Sequence, residues 1–305
     1  MPMPTDAQKI LLTGHDGFVG QHLTRLRACA PLLANGVPVD LRDASAVKRA
    51  VEAIQPDRVI HLAAQSFIPR SFENPRETFE VNFLGTLNLL QALADTGFKG
   101  RLLYIGSGDM YGLVPEAALP IREEHPLRPR NPYAVSKVAG EALCHQWSRT
   151  GPFEIVMARP FNHIGPGQQP SFAVSDFARQ VTRIRAGAQP PRVEVGDIDV
   201  SRDFTDVRDV VRAYLLLLEQ GENGEVYNVA SGEERLISAI LADLIRLTGV
   251  RAEIVPQTTR LRRAEQRRVM ASAEKLERRT GWRREIPWEQ TLNDIIADWE
   301  KRKHG

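Results

Sequence analysis

The chain has 305 residues, 42% of them hydrophobic and 26% charged, with a formal net charge of +2. That length supports one large domain or two smaller ones sharing a core, and charge so near balance argues against a dedicated nucleic-acid binder. No run approaches the roughly 20 apolar residues of a membrane span, and the N-terminal MPMPTDAQK lacks the apolar centre of a signal peptide, so the expected setting is the cytoplasm.

In chain order, residues 9–13 read as a short apolar strand. It runs into Gly14-His15-Asp16-Gly17-Phe18-Val19-Gly20 and a helical pattern reaching about Cys29. Glycines so spaced between strand and helix permit a tight turn and let backbone approach a diphosphate at the helix N-terminus. A plain strand–turn–helix is the competing reading. Asp40 follows Gly20 by 20 residues, where an acid that binds ribose is expected. Yet the interval has no room for another helix and strand. Val39-Asp40-Leu41 therefore reads as the end of a third strand near adenine, with one helix deleted and a very short second strand around 31–34. No residue that reads the ribose 2′ position is then identifiable.

Residues 44–54 read as a helix stopped by Pro56. Residues 58–64 read as a buried strand of parallel type, whose small Ala63 and Ala64 let a cofactor pass over its end. Residues 74–95 read as one long helix carrying Asn82 and Asn88, each of which either bonds main chain near a site or faces solvent. Residues 101–105 form the next expected strand, ending in Gly106-Ser107-Gly108-Asp109-Met110-Tyr111-Gly112. Ligands of a doubly wound sheet lie beyond strand C-termini, which places Ser107 to hydrogen-bond a substrate carbonyl.

After a Pro-rich loop comes Arg130-Asn131-Pro132-Tyr133-Ala134-Val135-Ser136-Lys137. Pro132 suits a first helical turn and Asn131 can cap it. Tyr133 and Lys137, four apart, then share one helix face. A phenol titrates near about 10, and an adjacent ammonium favours its ionised form, so the pair can move a proton near neutrality. Alone, such spacing more often marks an amphipathic surface.

That helix is expected to reach about Arg149, and residues 154–159 form a strand leading into a Gly/Pro-rich loop, 160–168. Beyond it the alternation breaks down. Helices are expected at 172–186, 210–219, 237–247 and 289–303, and strands at 193–196 and 225–229. Residues 260–268 carry five arginines and Glu265, either a solvated face or a clamp for a diphosphate. Cys29 and Cys144, both in expected helices, suggest neither a disulfide framework nor a metal site.

Taken together, Gly14-x-x-Gly17-x-x-Gly20, Asp40-Leu41, His61-Leu62-Ala63-Ala64, Ser107 and Tyr133-x-x-x-Lys137 resemble the extended short-chain dehydrogenase/reductase family, whose members act on nucleotide sugars. The resemblance covers nearly the whole chain. It implies an α/β fold: a Rossmann-type doubly wound parallel sheet with a smaller C-terminal α/β substrate-binding domain. Residues 1–160 plus about 203–230 would form the dinucleotide-binding domain, and about 161–202 plus 231–305 the nucleotide-sugar domain. It implies NADP(H) or NAD(H) held by Gly14, Gly17, Phe18, Val19, Gly20, Asp40, Leu41, Leu62, Ala63, Ala64, Tyr133 and Lys137, and no metal. Arg159-Pro160-Phe161-Asn162 and Arg202-Asp203-Phe204-x-Asp206-Val207 resemble the family's nucleotide-sugar segments. Arg262-Arg263-Ala264-Glu265 resembles its Arg-Pro-x-Glu segment, with Arg263 in the place of proline. Ser107, Gly108, Asn162, Arg202, Arg262 and Glu265 are the implied substrate contacts.

More narrowly, segments 107–112, 130–137, 158–168, 194–203 and 262–268 are similar to the family's bacterial GDP-4-keto-6-deoxymannose reductases. The branch implies reduction of a C4 ketone to give GDP-D-rhamnose for surface polysaccharide, with Tyr133, Lys137, Ser107 and Asp109 as the catalytic group. Related 4,6-dehydratases usually carry Thr-(Ser/Asp)-Glu before the Tyr-Gly pair. Here the triplet is Ser107-Gly108-Asp109, one methylene shorter at the acid and without a side chain before it, which suits elimination less well. Epimerase-reductases of the GDP-fucose type use a cysteine, and none lies near Ser107. Members of the fold that bind dinucleotide only as regulators usually lose the tyrosine or the lysine. The implied partners are a GDP-sugar and a second copy of the chain, with no nucleic acid and no membrane.

Overall fold

Every residue of the first strand, β1 (Ile10–Thr13), is buried, as a strand covered on both faces demands. The computed structural model describes residues 8–257 and 266–302. After β1 come α1 (Phe18–Leu26), the two-residue strands β2 (Ala30–Pro31), β3 (Leu33–Ala34) and β4 (Val37–Pro38), α2 (Ala44–Ile54) and β5 (Arg58–His61). Helices α3 (Ile68–Glu73) and α4 (Pro75–Phe79) lead through a π-type turn, Glu80–Leu84, into α5 (Gly85–Asp95). Next are β6 (Arg101–Ile105), α6 (Pro132–Thr150), β7 (Glu154–Pro160), β8 (Asn162–Ile164), α7 (Ala173–Arg185), β9 (Arg192–Val195), β10 (Ser201–Asp206), α8 (Val207–Gln220) and β11 (Val226–Val229). The described chain closes with β12 (Glu234–Leu236), α9 (Ile237–Thr248), β13 (Glu253–Pro256), α10 (Glu274–Thr280) and α11 (Trp288–Lys301).

Six strands form one parallel sheet in the order β11-β7-β6-β5-β1-β2. Leu12, Ile60 and Leu103 point to one face, where Val210, Tyr214 and Leu217 of α8 cover them. Leu11, Val59 and Leu102 point to the other, against Val47 and Val51 of α2 and Leu89 and Leu93 of α5. Period-two alternation thus feeds two separate cores, and the sheet is doubly wound. A further core gathers Phe177 and Val181 of α7, Ile240 and Leu244 of α9, and Leu292 and Ile295 of α11. It lies with a small sheet in the order β12-β10-β8 and with the pair β13-β9.

Several elements differ from the sequence expectation. Val39-Asp40-Leu41 is not a strand end. Asn35 and Gly36 both have positive φ, 52° and 79°, as a two-residue hairpin turn requires. The chain doubles back from β3 to β4, and the Val39 amide returns to the Leu32 carbonyl at 3.1 Å. The third parallel strand is therefore absent along with its helix. Helix α1 stops at Leu26, because Arg27 is extended, so Cys29 lies outside it. β5 ends at His61 rather than Ala64, and the expected helix over 74–95 contains the π-type turn.

Candidate active site

Strands β1, β5, β6 and β7 are parallel, so the Gly14 turn, Leu62–Ala64, Ser107 and the Phe161-Asn162 segment all lie at one end of the sheet. The three glycines of the first turn differ in what they require. Gly14 has φ +70°, and a Cβ there would lie 2.8 Å from the Ala63 amide nitrogen. A Cβ on Gly20 would lie 2.2 Å from the Gly14 carbonyl oxygen. Both are glycine because the protein's own backbone crowds them. Gly17 has ordinary φ, −71°, and a Cβ on it would meet only the Gly14 oxygen, at 3.4 Å. Its small size serves open space over the helix start. There the first-turn amides of Phe18, Val19 and Gly20 have no side-chain cap and no acidic neighbour in the turn, the setting of an anion site. These residues fit a dinucleotide diphosphate.

At the other end of the expected cofactor groove, Asn88 Nδ2 donates to the Leu41 carbonyl at 2.8 Å, so this asparagine bonds main chain. Asp40 is exposed and bound by Arg42, whose guanidinium holds the carboxyl below its ordinary range.

Helix α6 begins as its sequence directs. The Asn131 side chain accepts from the Ala134 amide at 2.7 Å, and Pro132 occupies the first turn. Tyr133 is half-buried near its start, and Lys137, one turn on, is 4% exposed. The Lys137 ammonium donates to the Ile105 carbonyl at 2.8 Å, and burial draws its pKa down to about 8. Tyr133 is shifted up, first by burial and then by the Asp109 carboxylate, while the Ser107 hydroxyl draws it back down. Ser107 caps the short turn Gly108–Tyr111, accepting from the Asp109 amide at 3.2 Å. The structure thus brings Ser107, Asp109, Tyr133 and Lys137 together at the end of β6. A Cβ on Gly108 would lie 2.8 Å from the Phe161 ring, which explains the missing side chain before Asp109.

The residues expected to contact substrate lie near this group. Asn162 pairs with Phe204 in the small sheet, two residues from Arg202. Asp109 is exposed, yet the surrounding protein raises the pKa of its carboxyl, and the Arg202 charge opposes that rise. The Arg202 guanidinium donates to the Ser201 carbonyl at 2.7 Å and feels Asp109, Asp197 and Arg267. Arg267 in turn binds Asp197 at 2.8 Å. Arg267 falls in the 260–268 run read above as a solvated face or a diphosphate clamp, whereas sequence reasoning gives Asp197 no role; the pairing of the 267–269 segment with Ser201 brings Arg267 beside Arg202. Arg262 and Glu265 lie outside the described residues.

The whole architecture has counterparts of known identity. The profile of the GDP-mannose 4,6 dehydratase family matches residues 33–295. A Pseudomonas aeruginosa protein named GDP-6-deoxy-D-mannose reductase is 51% identical over 97% of this chain and 98% of its own length. The solved structure of RMD from the same species, complexed with NADPH, superposes with a TM-score of 0.92 at 50% identity, covering 97% of this chain and 100% of the other. The Thermus thermophilus UDP-glucose 4-epimerase complex with NAD gives a TM-score of 0.82 at 31% identity over 95% and 98%. The chain belongs to the GDP-mannose 4,6 dehydratase family, within the extended short-chain dehydrogenases/reductases.

Proposed function

We propose that the protein reduces the C4 ketone of GDP-4-keto-6-deoxy-D-mannose to the alcohol of GDP-D-rhamnose, using NADP(H) or NAD(H). The observation that carries this is 51% identity, end to end, with a GDP-6-deoxy-D-mannose reductase. Reduced nicotinamide supplies a hydride when bound. The amides of Phe18 and Val19 and the open face of Gly17 would hold its diphosphate, with Leu62, Ala63 and Ala64 beneath it. Tyr133 holds the proton for the sugar oxygen, and its raised pKa keeps the phenol protonated, the form a reduction needs. Ser107 orients the carbonyl, and Lys137 supplies positive charge at the end of β6. Arg202, with Arg267 beside it, offers guanidinium groups to the GDP diphosphate, and the exposed Asn162 stands on the neighbouring strand β8. Asp109 holds Tyr133 in its acid form. A site with glycine at 108 and the shorter acid at 109 favours ketone reduction over loss of water.

The division into a dinucleotide domain and a nucleotide-sugar domain belongs to this reading, although Ala273, Leu276 and Trp282, from the range given to the second, pack with α8 and β11 in the core of the first. So does a homodimer: Phe67, Phe72, Leu84 and Val135 are large exposed apolar residues in or beside mutually packed α3, α4 and α6, a strip a second copy would cover. Cys29 and Cys144 are free thiols, which fits the reducing cytoplasm, where the product would enter lipopolysaccharide synthesis. No described helix is long and apolar enough to cross a membrane.

The test generates GDP-4-keto-6-deoxy-D-mannose in place, follows oxidation of NADPH and NADH separately, and identifies the sugar formed. GDP-rhamnose supports the proposal; GDP-fucose or no turnover rejects it.

A further inference from the structure

His61 is the one residue of the His61-Leu62-Ala63-Ala64 segment to which the reaction assigns no task. It is 2% exposed at the end of β5, and both ring nitrogens are engaged. Thr86 has a single hydroxyl proton, and it goes to the Asn82 carbonyl at 2.7 Å. The contact between His61 Nε2 and Thr86 Oγ1, 2.9 Å, must then run from the ring N–H to the threonine oxygen. Burial, with the nearby Lys137 charge, holds the ring pKa down to about 3, so His61 is neutral and its Nδ1 is an acceptor. The Thr13 hydroxyl donates to that nitrogen at 2.8 Å and itself accepts from the Ala63 amide at 3.0 Å.

The line continues beyond Thr86. Asn82 stands in the π-type turn, 2% exposed. Its Nδ2 donates to the Ser136 hydroxyl at 2.9 Å and to the Gln65 carbonyl at 3.0 Å, while its Oδ1 accepts from the Gln65 amide at 2.7 Å. Ser136 Oγ then donates to the Tyr133 carbonyl at 2.7 Å. Each proton in the chain has one place to go. The direction is fixed from the Ala63 amide through Thr13, His61 and Thr86 to the main-chain carbonyl of Asn82, and a second run starts at the Asn82 side-chain amide and passes through Ser136 to the Tyr133 carbonyl.

We propose that His61 is a positioning residue that ties the dinucleotide-binding turn, through Thr13, to the helix start carrying Tyr133, through Thr86, Asn82 and Ser136. Cofactor seating and the placement of the proton donor are then set by two runs of hydrogen bonds that meet at the buried Asn82. The inference rests on the reading of Tyr133 as proton donor. It adds that residues remote from the sugar govern both cofactor affinity and turnover.

The experiment replaces the chain's hydroxyls and reads two quantities. NADPH affinity is titrated by fluorescence without sugar, and kcat is measured per folded enzyme, with urea midpoints recorded for each variant. Thr86→Val removes the acceptor of the ring N–H and should lower kcat by about tenfold or more and weaken NADPH binding by about threefold. Thr86→Ser restores the hydroxyl and should recover both within about twofold. Thr13→Val should give the same two losses, and the double variant should cost clearly less than the product of the single effects. Should Thr86→Val not fold, Thr13→Val and Thr13→Ser carry the comparison alone. Unchanged kcat and NADPH affinity in a folded valine variant overturn the proposal, as does a double variant whose losses multiply. Failure of the function itself is distinguishable, because it appears as absent turnover in the unaltered enzyme.

Discussion

Arg159 meets Glu141 through two hydrogen bonds, Nε to Oε2 at 2.8 Å and Nη2 to Oε1 at 2.6 Å, with side chains only 7% and 8% exposed. The remaining Arg159 nitrogen donates to Tyr111 Oη at 2.7 Å, and that phenol donates to Asn228 at 2.7 Å. Tyr111 ends the turn that carries Ser107 and Asp109, and it stacks on Phe161. Glu141 is one helical turn beyond Lys137. The pair therefore braces both sides of the candidate site from beneath. Glu141→Gln leaves a buried guanidinium uncompensated and should cost about 3–5 kcal/mol, read from urea unfolding, whereas joint replacement by apolar residues of similar volume should recover much of the loss. Equal stability of the single and joint variants would remove the pair from this role.

Tyr133→Phe keeps the ring and removes the proton. It should lower kcat by about 10²–10⁴-fold while leaving the KM for the sugar within about threefold. Steady-state kinetics decide it, and comparable losses in both parameters would deny Tyr133 its part as proton donor.

The pH dependence follows from Lys137. Its pKa, about 8, lies below the ordinary lysine range because burial opposes the charge. The ammonium is lost as pH rises through that value, so kcat/KM should fall on an alkaline limb near pH 8, and Lys137→Arg should abolish that limb. Stability runs the other way. Between about 8 and 10.4 the unfolded chain binds the proton that the folded chain has released, so this group's contribution to stability rises with pH across that window. A pH–rate profile without the limb would contradict the assignment.

The glycine turn gives a contrast within one motif. Gly17→Ala should fold with stability within about 1 kcal/mol of the unaltered protein, yet bind NADPH more weakly. Gly20→Ala pushes a Cβ to within 2.2 Å of the Gly14 oxygen and should be destabilised outright. Chemical denaturation with cofactor titration separates the two outcomes.

Arg202→Ala removes a half-buried guanidinium beside Asp109 and should weaken GDP binding by about tenfold, measured by calorimetry. NADPH affinity should hold.

The parallel sheet was legible because its inner strands are continuous apolar runs, such as Leu102-Leu103-Tyr104-Ile105, with nothing else they could be. The start of α6 was legible in Asn131 and Pro132. The missing third strand was signalled by Asn35-Gly36, a hairpin pair whose meaning the spacing to Asp40 obscured. β8 and β12, of three residues each, were not legible, since such strands exist only through their partners in the small sheet. The state of Tyr133 was not legible either. Spacing places Lys137 on its helix face, but burial and Asp109 set the direction of the phenol's shift, and the ammonium spends a hydrogen bond on Ile105. Thr13, His61 and Thr86 meet across 25 and 48 residues of sequence, and no local pattern joins them.

The shortened second strand has a consequence for how these molecules behave in a crowd. A sheet margin with a long free ladder invites another chain to add a strand, the first step of uncontrolled aggregation. Here the margin is β2, two residues long and ending in Pro31, which has no amide to offer. The chain beyond it folds away at once into the hairpin that closes at Pro38. The brevity of β2 leaves that side of the sheet with almost nothing for a neighbour to join.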